Sequence, residues 1–285
     1  MANAVRDVPA RRRPISWSSP LTYAIAVVVA AAAVAPVIYV VLGGFRSNGQ
    51  LAARPEGFPS PWIFSNYSRV LKSGDFWHQV FNSTLTALST TVGVVVLGVM
   101  ATYVLARYEF KGREGLYTFF TLGLLFPLGV AILPLYLMLR NLDLLGSLLG
   151  LIIPQVAFQL PLTIVILRPF LRAIPVEIED AAAIDGSSRV GFFWRIVLPL
   201  SRPALVTVGV LAFVFSWNAY LLPLLVLSDP ATFTLPLGVQ SFSTQYSQDT
   251  AAILAFTSLA MLPALAFFTL AERRIVGGLQ GAVKG

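Results

Sequence analysis

The chain has 285 residues, of which 56% are hydrophobic and 12% are charged, and its mean hydropathy is +0.77. A soluble core of this length needs far less apolar surface, so the composition predicts an integral membrane protein. The net charge of +7 does not call for a nucleic-acid partner, because anionic lipid headgroups beside the apolar segments account for the cations. With no Cys and a single His, His78, we expect no metal site and no disulfide or thiolate chemistry.

Six apolar windows contain no Asp, Glu, Lys or Arg. Each has the roughly 20 residues that a helix needs to cross a hydrocarbon core of about 30 Å, and a helix satisfies its own backbone hydrogen bonds in lipid. The sequence therefore predicts an all-α, polytopic membrane protein with six transmembrane helices. The windows are Leu21 to Leu42, Val80 to Val104, Leu116 to Leu139, Leu148 to Leu167, Ala204 to Leu227 and Thr250 to Ala271.

The Lys and Arg residues are unevenly divided between the two sides of these windows. Fifteen of the 20 fall before the first window, after the sixth, or in the segments that follow the second and the fourth. Short cytoplasmic loops carry the excess of cations, so both termini are predicted to be cytoplasmic. Residues 1–20 would then be a basic arm, residues 21–271 the membrane domain and residues 272–285 a cytoplasmic tail. The first window is interpreted as a retained anchor, since it is longer than the apolar region of a signal peptide.

Two segments between windows are predicted to be external. Residues 43–79 combine Pro with Trp, Tyr and Phe, which predicts short, non-spanning helices at the membrane interface. Anchoring among headgroups is the favoured role there, with a specific partner site as the alternative. His78 beside Trp77 is interpreted as an interfacial residue and not as a catalyst. The other segment, Ser228 to Asp249, has no Lys or Arg.

The chain lacks the residues that would let it drive transport by itself. No G-x-x-x-x-G-K-[ST] phosphate-binding loop occurs, and the windows hold no ionisable residue except Tyr. Energy for uphill transport would therefore come from another subunit, and we expect no catalytic residue here. Four polar residues lie in or near the windows, where they either pack against other helices or line a translocation path. They are Asn82, Gln155, Gln159 and Asn218.

A charged island, Pro175 to Pro203, interrupts this apolar sequence between the fourth and fifth windows. Pro175 suits a first helical turn, and acidic residues near a helix N-terminus are favoured by the dipole. The three alanines that follow favour helix, and Asp185 with Gly186 predicts a C-terminal turn. The residues of this first helix are Glu177, Glu179, Asp180, Ala181, Ala182 and Ala183.

A second helix is predicted in the other half of the island. Ser187 or Ser188 can cap its N-terminus, and Pro199 and Pro203 are expected to end it and lead into the fifth window. Its apolar residues are Phe192, Phe193, Trp194 and Ile196. The island is thus predicted to be a helix, a bend and a helix on the cytoplasmic face. An amphipathic connector held at the interface is the alternative to a partner-docking element.

The spacing in the island resembles a known family. D-A-A-x-x-D-G at Asp180 to Gly186, nine residues, then I-V-L-P at Ile196 to Pro199 is similar to the cytoplasmic loop of permease subunits in bacterial binding-protein-dependent ABC importers. The family usually begins this motif with Glu, and Asp180 keeps the charge on a shorter side chain. The C-terminal ERRIVGGLQGAVKG and the segment Phe215 to Leu222 resemble the maltose-type carbohydrate permeases.

The resemblance implies a permease for a sugar or oligosaccharide in the bacterial cytoplasmic membrane. It would pair with a second, homologous permease, two ATPase subunits that bind ATP and Mg²⁺, and an extracytoplasmic solute-binding protein, and it would bind no cofactor itself. The implied contacts with the ATPase are Glu177, Glu179, Asp180, Ala181, Ala182, Asp185 and Gly186 in the island and Gly281, Val283 and Lys284 in the tail. The implied contacts with the binding protein are Gln240, Ser241 and Gln245.

Three alternatives stay open at this point. A non-sugar solute such as glycerol phosphate is carried by similar permeases. A membrane enzyme or scaffold could use the island as a docking site, and an autonomous channel would conduct without any ATPase. Copurification of an ATPase distinguishes an importer permease from a membrane enzyme or scaffold. Conductance of this chain alone in liposomes would indicate a channel.

Overall fold

The structure is a computed structural model that describes residues 20–243 and 247–282, with side chains as far as Thr269. The basic arm predicted before residue 20 lies outside this range. Within the described residues the regular structure is helical, apart from one isolated bridge between Ser243 and Gln248. The prediction of an all-α fold is confirmed for this part of the chain.

The described residues form fourteen α-helices joined by short turns. They are α1 Pro20–Gly44, α2 Asn48–Ala53, α3 Ser65–Lys72, α4 Gly74–Arg107, α5 Arg113–Gly123, α6 Leu128–Asn141, α7 Leu149–Arg172, α8 Val176–Ile184, α9 Arg189–Phe192, α10 Leu198–Leu200, α11 Arg202–Trp217, α12 Leu221–Val226, α13 Leu235–Gly238 and α14 Thr250–Ala282. A π-helical turn, Phe193–Val197, joins α9 to α10, and 3-10 turns lie at Pro230–Thr232 and Val239–Phe242.

Four of these helices are long and apolar enough to cross a membrane by themselves: α1, α4, α7 and the Thr250–Thr269 part of α14. Two further candidates are bent pairs, α5 with α6 and Arg189–Leu200 with α11, so the described residues hold four to six spans. A membrane protein with several spanning helices is thereby confirmed. The number six, and the side on which the termini lie, stay predictions.

The third window was predicted as one continuous helix, and this is wrong. Helix α5 ends at Gly123, α6 begins at Leu128, and the two axes differ in direction by 98°. Pro127 supplies the reason, because it has no N–H to donate and keeps the preceding residue out of helical conformation. It stands at the N-cap of α6 with an extended backbone, φ −74° and ψ 132°.

The fifth window is also interrupted. Helix α11 ends at Trp217, Asn218 forms its C-cap, and the chain resumes as α12 at Leu221. A proline ring clashes with the carbonyl four residues earlier, so Pro223 disfavours an α-helix that continues through Ala219. The apolar composition of the window predicted a membrane-spanning segment but gave no sign of this break in the helix.

Helix α4 is the centre of the bundle, with α7 and α11 packed against it. Helices α4 and α7 approach closely at Gly98, where an added Cβ would lie 2.4 Å from the Thr163 side chain of α7. Only glycine permits this spacing, and small residues at helix interfaces in membranes serve the same purpose. On the other side of the molecule α1 packs along α14.

The external segment folds into the short helices α2 and α3, which confirms the prediction of non-spanning helices at residues 43–79. The buried guanidinium of Arg46 donates to the backbone carbonyls of Gln50, Arg54 and Pro55 and so closes the loop on itself. Phe58, Trp62 and Phe64 remain exposed around it. Such aromatic side chains suit a membrane interface.

Candidate functional sites

The charged island contains the predicted helix, bend and helix. Helix α8 begins after Pro175, which is therefore the N-cap and not a residue of the first turn. Gly186 has φ +78° and ends the helix, while its N–H donates to Ala183 O at 3.0 Å. The N–H of Ser187 donates to Ala182 O at 2.9 Å, which completes the glycine-dependent C-terminal motif.

The second helix of the island starts at Arg189 and is capped by Ser188, whose Oγ accepts from the Gly191 N–H at 3.1 Å. The helix ends at Leu200, between Pro199 and Pro203 as predicted, and the chain bends by 75° into α11. The wider π-helical turn lies directly before Pro199, where the missing N–H and the ring would disturb ordinary α-helical bonding.

One face of α8 is fixed to the helix bundle. The Arg107 guanidinium, at the end of α4, donates to Glu179 Oε2 at 3.0 and 2.5 Å and to the Ile174 carbonyl at 2.6 Å. Only 7% of the Arg107 side chain is exposed. Ala182 is likewise buried, in a cluster with Leu171 and Phe193. Glu179 and Ala182 thus hold α8 in place, a division of roles that the sequence did not reveal.

The opposite face of α8 is open. Of the seven island residues predicted to contact an ATPase, five are exposed on this face or directly after the helix: Glu177, Asp180, Ala181, Asp185 and Gly186. Two apolar side chains lie among them, Val176 and Ile184, the latter 87% exposed. An acidic rim around exposed aliphatic groups can bind a partner surface that offers apolar pockets and cations. Whether an ATPase is that partner stays a prediction.

A second charged cluster ties α5 to α7 at the same end of the bundle. Glu114 accepts from Arg168, from Arg172 at 3.1 Å and from Arg113 at 3.1 Å. The nearly buried Arg168 also lies over the Tyr117 ring, 3.8 Å from its centroid. These contacts support the bent α5–α6 pair, and sequence analysis missed them because the partners are over fifty residues apart.

The four polar residues of the spans occupy different settings. Asn82 is a structural residue, since its Nδ2 donates to the carbonyls of Ala231 and Phe233 at 2.9 and 3.1 Å and holds the loop between α12 and α13. Gln159 is buried in α7, and its Nε2 has no hydrogen-bond partner among the described residues. The structure brings Gln155 and Asn218 together, and it does not bring Asn82 or Gln159 to them.

Gln155 and Asn218 line one cavity of about 360 Å³, between α7 and the break that separates α11 from α12. Asn218 also lines a second cavity of about 320 Å³, on the side of α14. The Asn218 side chain is exposed and donates to the Val214 carbonyl at 2.8 Å. Of the residues that line the two cavities, none is acidic, basic or His.

The predicted binding-protein contacts are described only in part. Gln240 and Ser241 lie in the 3-10 turn Val239–Phe242, and Gln240 Nε2 donates to the Tyr220 hydroxyl at 3.1 Å. This bond joins the 3-10 turn to the wall of the first cavity, which also contains Tyr220. Gln245 lies outside the described residues.

The C-terminal tail is helical as far as it is described. Helix α14 continues through residue 272 to Ala282, so Gly281 belongs to its last turn. Val283 and Lys284 lie outside the described residues. The predicted boundary at residue 271 is therefore not marked by a break in the helix.

One carboxylate organises the end of the molecule that carries α2 and α3. Asp249 accepts from the Ala252 N–H, from Asn48 Nδ2 and from Arg69 Nη2, at 3.1, 3.0 and 2.9 Å. Partial burial works against its ionisation, but these donors and the charge of Arg69 outweigh burial and lower the pKa of Asp249 below its ordinary value. The ionised form thus joins α2 and α3 to the start of α14.

This arrangement is that of a membrane transport subunit: several spanning helices, an uncharged cavity between them, and an exposed loop helix fixed to the bundle. Residues 94–277 match the model of the family described as binding-protein-dependent transport system inner membrane component, and the chain belongs to that family. The resemblance noted in the charged island is thereby confirmed. Among the described residues no cluster of His, Asp and Glu could hold a metal ion.

Relatives match over almost the whole chain. The diacetylchitobiose uptake system permease protein NgcG of Streptomyces coelicolor is 32% identical over 281 residues, which are 98% of this chain and 91% of the relative. The trehalose transport system permease protein SugB of Mycobacterium tuberculosis is 38% identical and covers 80% of this chain and 84% of its own length. The arabinooligosaccharides transport system permease protein AraQ of Halalkalibacterium halodurans is 30% identical, with 95% and 97% covered.

A solved structure has the same fold. It is the crystal structure of a bacterial ABC transporter involved in the import of the acidic polysaccharide alginate, with a TM-score of 0.76 and 22% sequence identity. The match covers 89% of this chain and 94% of that one. At this identity the likeness shows the fold alone.

Proposed function

We propose that this chain is a permease subunit of a bacterial ABC importer for a sugar or oligosaccharide. It would span the cytoplasmic membrane six times with both termini inside and form half of the translocation path beside a second, homologous permease. Two ATPase subunits would bind ATP and Mg²⁺, and a solute-binding protein would deliver the solute outside. Membership of the family and the sugar permeases among the relatives support this assignment.

The observation that carries the coupling role is the two-sided setting of α8. Its inner face is fixed to the bundle by the Arg107–Glu179 pair and by buried Ala182, and its outer face presents five of the predicted docking residues. An ATPase that holds the outer face would therefore move α8 and the end of α4 together. Closure of the ATPase dimer on ATP would reorient the spans, and hydrolysis would return them.

Within this scheme the chain itself performs no bond chemistry. Its parts transmit displacement: α8 to α4 through Arg107, and the π-containing helix Arg189–Leu200 to α11 through the 75° bend. Packed elements pass on small shifts because interfaces have few stable arrangements. The external turn with Gln240 and Ser241 would meet the binding protein, close to the cavity wall at Tyr220.

The experiment that tests the proposal is uptake by the reconstituted importer. The chain is coexpressed with the ATPase, the second permease and the binding protein, and uptake of labelled trehalose and N,N′-diacetylchitobiose into proteoliposomes is measured with ATP. Ile184→Glu should abolish ATPase binding and uptake, because it places a charge in the docking face without disturbing a folded contact. Phe58→Glu is the matched control, an equally exposed apolar residue at the other end of the molecule.

The alternatives make different predictions. A scaffold or membrane enzyme would copurify without an ATPase, and a channel would give conductance from this chain alone. A permease for glycerol phosphate would copurify with an ATPase and import that solute in place of sugars. Full uptake by Ile184→Glu would refute the docking role of α8.

A further inference from the structure

The Gln155 amide is buried but only half satisfied. The residue is 3% exposed, and its Oε1 accepts from the hydroxyls of Ser216 and of Thr90, the latter at 3.4 Å. These two bonds orient the amide and leave Nε2 without a hydrogen-bond partner among the described residues. A buried N–H without an acceptor is costly, so such a group usually has a partner in the working protein.

The place of Gln155 in the fold indicates where that partner would come from. Gln155 lines the 360 Å³ cavity at the break between α11 and α12, together with Asn218 and Tyr220. Its volume lies within the range of about 300 to 1,000 Å³ in which proteins bind small molecules. Asn218, exposed and outside any helix, lines this cavity and the neighbouring one.

The rest of the lining is aromatic and aliphatic. Phe158, Phe215 and Tyr220 contribute rings to the first cavity, and Trp217 contributes one to the second. Apolar walls with a few placed hydrogen-bonding groups are typical of sites for uncharged polar molecules. No acidic, basic or His side chain occurs among the lining residues, so this chain offers an anionic solute no counter-charge.

We infer that the two cavities form a binding site for an uncharged, hydroxyl-rich solute, in which Gln155 Nε2 donates to a hydroxyl and Asn218 supplies the second polar contact. The site selects neutral sugars over phosphorylated or carboxylated ones. This inference rests on the proposed function and adds the charge class of the solute. Similarity alone does not give that class, since the transporter of like fold imports an acidic polysaccharide.

The chain contains no Cys, which permits a direct test in the assembled importer. Asn218→Cys places one thiol between the two cavities, and Ser228→Cys places a control thiol in the exposed external segment. The rate of N-ethylmaleimide labelling of this chain is measured by mass spectrometry. Trehalose or N,N′-diacetylchitobiose at about ten times its Kd should slow labelling at position 218 about tenfold and leave position 228 unchanged.

Two anionic solutes test whether the site selects its solute by charge. Trehalose 6-phosphate and glycerol 3-phosphate should leave labelling at position 218 unchanged. Protection by these anions equal to that by trehalose would overturn the inference, and so would the absence of protection by a neutral sugar that the same preparation imports. If the preparation imports glycerol 3-phosphate and neither sugar, the proposed carbohydrate function itself is wrong.

A second measurement isolates Gln155. Gln155→Leu removes the donor and should raise the half-saturation concentration of sugar uptake about five- to tenfold, as expected for one lost hydrogen bond. Gln159→Leu removes an equally buried amide one turn along α7 that lines neither cavity, and should change that concentration less than about twofold. Equal effects of the two variants would assign Gln155 a packing role only.

Discussion

The guanidinium of Arg107 and the carboxylate of Glu179 join the last turn of α4 to the first turn of α8, across 72 residues of sequence, with N–O distances of 3.0 and 2.5 Å. Arg107 is nearly buried, whereas 30% of the Glu179 side chain is exposed. The same guanidinium also donates to the Ile174 carbonyl just before α8. These contacts connect α8 directly to the central helix of the bundle.

Loss of this pair should uncouple transport from ATP hydrolysis. Removing one partner of a well-buried ion pair costs about 3 to 5 kcal/mol, and partial exposure of Glu179 reduces this to about 1 to 3 kcal/mol. We expect Glu179→Gln to retain ATPase binding and lose most sugar uptake, measured as solute imported per ATP hydrolysed. Glu109→Gln is the control, because Glu109 is 93% exposed and lies 3.9 Å from Arg113. Unchanged stoichiometry in Glu179→Gln would contradict the role of the pair.

Adjacent alanines on α8 should respond differently to the same substitution. Ala182 is buried against the bundle, so Ala182→Leu overpacks the cluster and should lower stability by about 1 to 3 kcal/mol, seen as a reduced Tm of the detergent-solubilised protein. Ala181 is exposed, so Ala181→Leu should leave the Tm within about 2 °C and weaken ATPase binding. Similar Tm values for the two variants would show that the assigned faces of α8 are wrong.

The close contact of α4 with α7 predicts a glycine requirement at position 98. A methyl group on Gly98 would meet the Thr163 side chain at 2.4 Å, and relieving this clash should cost about 1 to 3 kcal/mol. Gly98→Ala should therefore unfold at a lower temperature than the unmodified chain. Gly129→Ala is the matched control, because nothing lies within 4 Å of the added Cβ there. A Tm for Gly98→Ala no lower than that of Gly129→Ala would contradict the packing described.

The end of the molecule that carries α2 and α3 should loosen in acid. Because the pKa of Asp249 is lowered on folding, its carboxylate stabilises the contacts of α2 and α3 above the ordinary value of 3.8, and this contribution is lost as the pH falls below that value through the lowered pKa. The protection of α2 and α3 against hydrogen exchange, relative to the intrinsic exchange rate at each pH, should therefore fall in acid. Asp249→Asn should show the lower protection already at pH 7 and little further change of protection with pH. An Asp249→Asn profile that still follows that of the unmodified chain would assign the effect to another group.

The charged island shows how far local sequence goes. Acidic residues, three alanines and Gly186 each favour the same helix and the same end to it, so the bounds of α8 follow from short-range chemistry. The motif spacing that identifies the family also lies within this short stretch of the chain. By contrast, the sequence gives no sign that Glu179 and Ala182 face inward, because that depends on where Arg107 and Phe193 arrive from other helices.

The breaks in the third and fifth windows also depend on more than the local sequence. Pro127 and Pro223 are visible in the sequence, but prolines also occur inside continuous helices here, as Pro154 and Pro161 do in α7. Neighbouring helices decide which proline bends a chain and which is absorbed, since freed carbonyls can be satisfied or shielded by packing.

The sequence by itself determined a helical membrane protein, the family and the loop that carries its motif, because hydropathy, capping residues and motif spacing act over a few turns of chain. Only the tertiary structure decided that Gln155 and Asn218 meet at one uncharged cavity while Asn82 and Gln159 lie elsewhere. Burial and hydrogen bonding of these side chains depend on which helices pack together, and that packing joins residues more than sixty positions apart, as Gln155 and Ser216 show.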